Sequence, residues 1–354
     1  MEAVVSASDA FGRYAGRRVL VTGHTGFKGS WLSLWLKRLG ADVTGFSDAI
    51  PTDPSHFEAL KLTIVDRRGD ICNPAAVEAV VAEAKPDIIF HFAAQSLVRK
   101  AYADPLATYR ANVLGTLAVL QSAQRHNVGS LVVATTDKVY RNDESGRRYK
   151  EEDELGGSDP YSASKSCAEL ATRSFAESFL REGMLRVATV RAGNVVGGGD
   201  WSDDRLVPDL MRAAFSGQAA IIRNPQSTRP WQHVLDVLSG YLQIGARLLD
   251  GNHPRLDAWN LGPQSEASIR VQDLLDAASA QIPQLKVDLQ PDESGRHESG
   301  LLQLDSTKAM SELGWRPIWE DQLLDRTVDW YRAFYEQGRV ISDDQLDAYQ
   351  AALG

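Results

Sequence analysis

Tyr161 and Lys165 stand four residues apart in Tyr161-Ser-Ala-Ser-Lys165, and Thr136-Asp137-Lys138 lies upstream of them. That spacing puts the tyrosine and the lysine on one face of a helix. An ammonium beside a phenol favours the phenolate, and a nearby nicotinamide cation would add to the effect. The tyrosine can then take a proton from an alcohol while hydride leaves the same carbon. Thr136 offers a hydroxyl to hold the same oxygen. Hydride transfer alone has no use for Asp137, so a carboxyl one residue beyond the threonine points to a further step.

The oxidant would bind at Gly23-His24-Thr25-Gly26-Phe27-Lys28-Gly29, which follows an apolar run and opens a helix. Its glycines, spaced Gly-x-x-Gly-x-x-Gly, permit a tight turn, a close backbone approach to pyrophosphate, and close packing of helix on strand. The helix N-terminus adds partial positive charge toward the phosphates. Cofactor choice falls to the end of the second strand, Gly45-Phe-Ser-Asp48. Ser47 or Asp48 could meet the adenosine ribose, and no arginine in that stretch claims a 2′-phosphate, which favours NAD. After the third strand, Asp70 could accept from the adenine amino group, with Ile71 beside it.

These groups need a scaffold. Apolar, β-branched runs at 18–22, 42–46, 63–66, 87–92, 130–135 and 185–191 read as strands. Helical patterns at 30–39, 73–84, 105–126 and 161–182 alternate with them; Gly40 ends the first, and Asn73 with Pro74 opens the second. Alternation implies right-handed crossovers and a parallel sheet covered on both faces. The expected fold is therefore α/β, a Rossmann-type doubly wound sheet. The rhythm weakens after Gly193, where Gly and Pro punctuate shorter elements. We expect an NAD-binding Rossmann domain over 1–194. A smaller C-terminal substrate-binding lobe would follow over 195–354, with some segments returning to the first domain. The charged stretch from Asp143 to Asp159 reads as a solvated loop, and its place after Asp137 would also suit a flap over the site.

The chain resembles the extended short-chain dehydrogenase/reductase family and, more narrowly, the nucleotide-sugar 4,6-dehydratases. The likeness covers nearly the whole length. It is carried by Val21-Thr-Gly-His-Thr-Gly-Phe-Lys-Gly-Ser-Trp31, His91-Phe-Ala-Ala-Gln-Ser96, Thr136-Asp-Lys138, the Tyr161–Lys165 pair, Arg191-Ala-Gly-Asn-Val-Val-Gly-Gly-Gly-Asp-Trp201 and Arg229-Pro-Trp-Gln-His233. The last two are the most specific. The resemblance implies that a tightly held NAD+ takes hydride from the sugar C4. Water is then lost across C5 and C6, and the hydride returns to C6. It makes Tyr161 the C4-hydroxyl base, Lys165 its activator, Thr136 its partner and Asp137 the acid for the departing hydroxyl. A carboxylic acid at neutral pH needs a raised pKa, so Asp137 should be shielded from water or beside negative charge. The wider group has a glutamate where Lys138 stands, whereas the CDP-glucose branch resembles this chain in having lysine. Lys138 could act as a base if desolvated, stabilise an enolate if charged, or form a structural salt bridge.

The resemblance also places the backbone of Ala93, Ala94 and Gln95 against the cofactor, and Asn112 behind the Tyr–Lys pair. Asn194, Arg205, Arg229 and Arg296 are candidates for substrate contact, since pyrophosphate favours bidentate arginine. Trp201 and Trp231 could border the base, with core packing expected for at least one. His91 and His233 lack metal-ligand spacing and suit core roles; no metal is expected. The helices 105–126 and 161–182 would pair two subunits as a four-helix bundle, giving a homodimer.

Bulk properties agree with such an enzyme. The chain has 354 residues, 43% of them hydrophobic, and a net charge of −9. It can bury a full core, and its acidity argues against nucleic acid or an anionic membrane as partner. Cys72 and Cys167 show no disulfide framework. No run is long enough to span a membrane. The first 17 residues carry Glu2 and Asp9 without a long apolar core, unlike a secretory signal. A cytoplasmic protein is expected. Three rivals remain. One is a C4 epimerase or reductase of the same family, which would not need Asp137 as an acid. Another is a dehydratase for a different nucleotide-hexose. The third is an NAD-binding regulator, which would be expected to have lost Tyr161 or Lys165.

Overall fold

The computed structural model describes residues 7–180, 184–222, 224–251, 254–264, 269–290 and 302–353. Seven strands form one parallel sheet: β1 (Arg18–Thr22), β2 (Asp42–Ser47), β3 (Val65–Arg68), β4 (Ile88–His91), β5 (Ser130–Ala134), β6 (Arg186–Ala192) and β7 (Leu256–Leu261). Their order across the sheet is β7-β6-β5-β4-β1-β2-β3. The direction of winding reverses between β1 and β4, which opens a crevice beyond the carboxyl ends of those strands. β4 and β5 are buried throughout, as strands covered on both faces must be, whereas β3 lies exposed at the edge.

Local chemistry sets the element ends. Asn73 accepts from the backbone N–H of Ala75 and Pro74 occupies the first turn, so the helix Pro74–Ala84 starts where expected. Gly40 lies just past the glycine-loop helix (Phe27–Arg38) in the left-handed region, at φ +80°. That helix begins at Phe27 rather than residue 30, because it opens inside the glycine turn itself. The third strand is shifted to 65–68, where it hydrogen-bonds β2. The expected helix 105–126 is an α segment (Pro105–Tyr109), a π-helical turn (Arg110–Leu114) and a second α segment (Gly115–Arg125). The Tyr–Lys helix runs Pro160–Phe179, and the expected end at 182 falls outside the described residues.

Two elements absent from the sequence reading complete the core. β7 adds to the far side of β6, in parallel register from Leu256↔Val187 to Leu261↔Ala192. The helix Val234–Leu249 packs on β5 and β6 and buries Leu235, Leu238, Tyr241 and Leu242. The stretch after Asp137 is exposed from Asp143 to Arg147, as a solvated loop would be, and is anchored just beyond. Arg148–Tyr149 pairs with Gln303–Leu304, Tyr149 is buried, and the backbone carbonyl of Glu151 accepts from Arg191 at 2.9 Å.

Candidate active site

The glycine turn tolerates no side chain at two positions. A Cβ on Gly23, at φ +74°, would lie 2.6 Å from the Ala93 nitrogen, and one on Gly29 would lie 2.1 Å from the Gly23 carbonyl oxygen. Gly26 is less constrained, its nearest neighbour being 3.4 Å away. The turn is therefore bare backbone at a helix N-terminus, packed against the backbone of Phe92 and Ala93. Thr25 donates its hydroxyl to Ala49 O at 2.7 Å, and its N–H reaches Ser47 Oγ at 3.4 Å. Ser47 in turn bonds His24 Nδ1 at 2.9 Å, whose Nε2 meets Asp66 Oδ1 at 3.0 Å. Burial pushes His24 below its ordinary value, against the pull of Asp66. Asp48 accepts from the N–H of Ala49. An arginine does stand beside this end of β2, on the neighbouring strand: Arg68 is in register with Ser47, but its guanidinium pairs with Asp66 at 2.7 Å. Asp70 accepts from Cys72 N–H at 2.7 Å, a turn-capping bond, and Ile71 packs under Gly115.

On the other side of the crevice, Asp159 caps the Tyr–Lys helix by accepting from the N–H groups of Tyr161 (2.9 Å) and Ser162 (3.0 Å), with Pro160 in the first turn. Tyr161 and Lys165 are both buried on the same face. Lys165 Nζ donates to Ala134 O, the last carbonyl of β5, at 3.0 Å. Thr136, two residues on, caps the short turn Asp137–Val139, and its hydroxyl lies near enough to the Tyr161 phenol to pull the phenol's pKa down. The threonine hydroxyl also donates to Asp137 Oδ1 at 2.9 Å. The tyrosine, lysine, threonine and carboxyl thus converge at the end of β5.

Burial governs their charge. It pushes the Tyr161 phenol up to about 12, with Thr136 opposing. It drives the Lys165 ammonium down to about 7, and the charge of Lys28 adds to the fall. Burial also raises Asp137 above the usual carboxylate range, despite Lys138, Thr136 and Arg229. Each group is held toward its neutral form.

Asn112 lies in the π turn and clips two sides together. It accepts from Gln95 N–H at 2.9 Å and donates to Gln95 O at 3.0 Å and Ser164 Oγ at 2.9 Å. Arg205 ion-pairs with buried Asp200 at 2.9 Å and lies within electrostatic reach of Tyr161 and Lys28. Arg229 reaches Asp137 in the same way. Asn194 is half-buried, and its carbonyl accepts from Gln232 N–H. A Cβ on neighbouring Gly193 would stand 3.2 Å from the Asp137 carboxylate. Arg296 lies outside the described residues.

Trp201 and Trp231 are both buried in the core, as expected for at least one of them. His91 bonds Thr22 (2.7 Å) and Thr116 (3.1 Å), and His233 caps the helix Val234–Leu249; both are core residues. Cys72 and Cys167 are free thiols. The orientation of Lys28 was not legible in the sequence. A lysine in a glycine turn suits outward phosphate contact, yet this one turns inward, over the rings of Phe92 (5.5 Å) and Tyr241 (5.9 Å).

A fold of this kind with this site defines a class. Residues 19–262 match the NAD dependent epimerase/dehydratase family, and the chain belongs to it. Within that class it is 42% identical, over 96% of its own length and 98% of the relative's, to a CDP-glucose 4,6-dehydratase of Salmonella typhimurium. A dTDP-glucose 4,6-dehydratase of Mycolicibacterium smegmatis is 30% identical over 94% of this chain and 98% of its own. Among solved structures, the epimerase Mth375 of Methanothermobacter thermautotrophicus superposes with a TM-score of 0.80 at 25% identity, over 94% of this chain and 96% of that one.

Proposed function

We propose that the protein is an NAD+-dependent hydro-lyase that dehydrates CDP-D-glucose to CDP-4-dehydro-6-deoxy-D-glucose. The observation that carries this is Asp137, a buried carboxyl kept toward its protonated form beside Thr136 and Tyr161. An epimerase or reductase needs the tyrosine and lysine but not that acid. The nucleotide follows from the relative 42% identical over nearly the whole chain.

The residues fit NAD. Gly23 and Gly29 let the turn pack backbone on backbone with no room for a side chain, and the helix that opens inside it would offer its N-terminal N–H groups to a pyrophosphate. The Ser47–His24–Asp66 chain and the Arg68–Asp66 pair leave that arginine committed, which supports NAD over NADP. When bound, NAD+ supplies the hydride acceptor, removing hydride from C4 of the sugar and returning it to C6. Tyr161, as phenolate, takes the C4 hydroxyl proton, and Thr136 holds the same oxygen. Lys165 and Arg205 supply the positive charge that the phenolate requires. The C4 ketone acidifies C5–H. That proton passes to a base of the pocket, the C6 oxygen leaves as water with the proton of Asp137, and C5 regains a proton as hydride reaches C6. Lys138 faces Asp137 with positive charge and suits the enolate that forms on the way. Asn194, Arg205, Arg229 and Arg296 are assigned to the substrate, and the lobe after residue 194 carries most of that surface. Asn112 and the Ala93–Gln95 backbone support the cofactor side, with Asp70 and Ile71 toward the adenine.

Purified enzyme incubated with CDP-, TDP- and UDP-glucose and GDP-mannose, each with NAD+, should lose 18 mass units from CDP-glucose alone. Loss from another donor would replace the substrate, and no loss from any would sink the dehydratase reading.

The protein is further proposed to be a cytoplasmic homodimer. The helices 105–125 and 160–179 pack side by side yet leave Leu106 at 78% and Phe179 at 60% exposure, with Leu114 and Leu170 also open. Such a patch suits a self-complementary interface. Light scattering should give twice the monomer mass, and Leu170→Glu should halve it; an unchanged mass would move the interface elsewhere.

A further inference from the structure

Gly197-Gly-Gly-Asp-Trp201 belongs to one of the most specific motifs of the chain, and the reaction proposed above gives it no task. Its backbone is seated on aromatic side chains. A Cβ on Gly198 would lie 1.9 Å from the Trp330 ring, and one on Gly199, at φ +84°, would lie 2.5 Å from the His56 ring. Both positions exclude a side chain. Trp31, on the glycine-loop helix, donates to Gly198 O at 2.9 Å. Tyr331, on the helix Leu323–Gln337, donates its hydroxyl to Asp200 O. Arg212, on the helix Leu206–Ser216, donates to Trp201 O at 3.0 Å. Side chains from three helices thus fix the backbone around Asp200.

The carboxylate that this frame holds is turned inward. Asp203 pairs with Arg212 and Asp204 with Arg99, whereas Asp200 is buried. Its Oδ1 accepts from Ser202 N–H at 3.0 Å, and its Oδ2 accepts from Arg205 Nη1 at 2.9 Å. Arg205 Nη2 reaches Ser96 Oγ, in the loop after β4, at 3.3 Å. The guanidinium is therefore held at both terminal nitrogens, between the lobe after residue 194 and the carboxyl end of β4. Among the described residues these are its only hydrogen-bond partners. A guanidinium has five N–H donors, so several remain for a phosphate.

We propose that Asp200 is a positioning residue: it orders the Arg205 guanidinium in advance to receive the diphosphate of the nucleotide sugar. This rests on the assignment of Arg205 to the substrate. A long side chain that is already ordered loses less freedom when its ligand arrives. The carboxylate also repels a diphosphate, so its two effects have opposite signs, and a role through charge alone would make its removal tighten binding. The Arg205 side chain is 33% exposed, where water weakens that repulsion, and ordering prevails.

The test is calorimetric titration of the NAD+-loaded enzyme with CDP, with KM and kcat for CDP-glucose alongside. Asp200→Asn keeps an acceptor for Ser202 and removes the charge that holds Arg205. It should weaken CDP binding and raise KM by about five- to tenfold, the worth of ordering one long side chain. With Arg205 still present, kcat should change little, and NAD+ affinity should match that of the native protein. Arg205→Ala should weaken CDP binding at least as much, and adding Asp200→Asn to it should cost nothing more. If the asparagine variant fails to fold, Asp200→Ser replaces it. Native or tighter CDP binding in Asp200→Asn, losses that add in the double variant, or a parallel loss of NAD+ affinity would overturn the proposal. Native CDP binding in Arg205→Ala would instead remove Arg205 from the substrate, and the proposal with it.

Discussion

Asp137→Asn should stop dehydration while leaving the earlier proton chemistry in place. Turnover of CDP-glucose should fall by about 10²- to 10⁴-fold, the usual worth of one general acid. The geometry argues for a selective loss. Asp137 sits close to Gly193, where an added Cβ would stand 3.2 Å from its carboxylate, and asparagine is nearly isosteric with it. The amide oxygen can still accept from the Thr136 hydroxyl, so Thr136 and Tyr161 keep their places. What disappears is an acidic proton in a site where burial keeps the carboxyl charged less readily than usual. C4 oxidation and C5 deprotonation should therefore continue to cycle. The check is CDP-glucose incubated in deuterium oxide. The variant should return substrate carrying deuterium at C5, with little 4-keto-6-deoxy product. Full dehydration by the variant would remove Asp137 from the acid role, and loss of exchange together with dehydration would place it in an earlier step.

The sequence made the chemistry more legible than the architecture around it. β1, β4, β5 and β6 could be read because strands buried on both faces are nearly continuous apolar runs. β7 escaped because Leu256-Asp-Ala-Trp-Asn-Leu261 is broken by polar residues whose purpose is tertiary. Asp257 pairs with Lys308, and Asn260 donates to Tyr149 O and accepts from Tyr140. The Tyr–Lys helix was recognised but its cap was not, since Asp159-Pro160 closed a charged stretch that reads as loop. Asn112 stood out by resemblance. The π turn that carries it is a backbone property with no sequence signature of its own. Lys28 was placed at the cofactor by its motif, whereas its inward course depends on Phe92 and Tyr241, far away in the chain.

The least legible feature carries the largest expected stability effect. Arg191 and Glu169 form an ion pair buried beneath the catalytic turn, with Nε–Oε1 at 2.9 Å and Nη2–Oε2 at 3.0 Å. Thr135 and Thr189 donate to the same carboxylate at 2.6 and 2.7 Å, while Arg191 Nη1 reaches the Tyr140 hydroxyl and Glu151 O. Burial pushes Glu169 up, but Arg191 and the two threonines more than offset it and hold the carboxyl low. Arg191→Met would leave a buried carboxylate without its partner, at a cost of about 3–5 kcal/mol. The sign with pH follows from linkage. In the native protein the depressed value contributes stability above the unfolded glutamate pKa of about 4.3, lost only as pH falls through the lower folded value. In the variant the folded value should rise above the unfolded one, so the deficit should be full at pH 8 and shrink as pH falls and Glu169 takes a proton. Urea midpoints at pH 8 and pH 5.5 check this. Adding Glu169→Gln should recover part of the loss at pH 8, since it removes the unpaired charge while keeping an acceptor for one threonine. A deficit equal at both pH values would mean that lost packing against Tyr140, not the stranded charge, sets the cost.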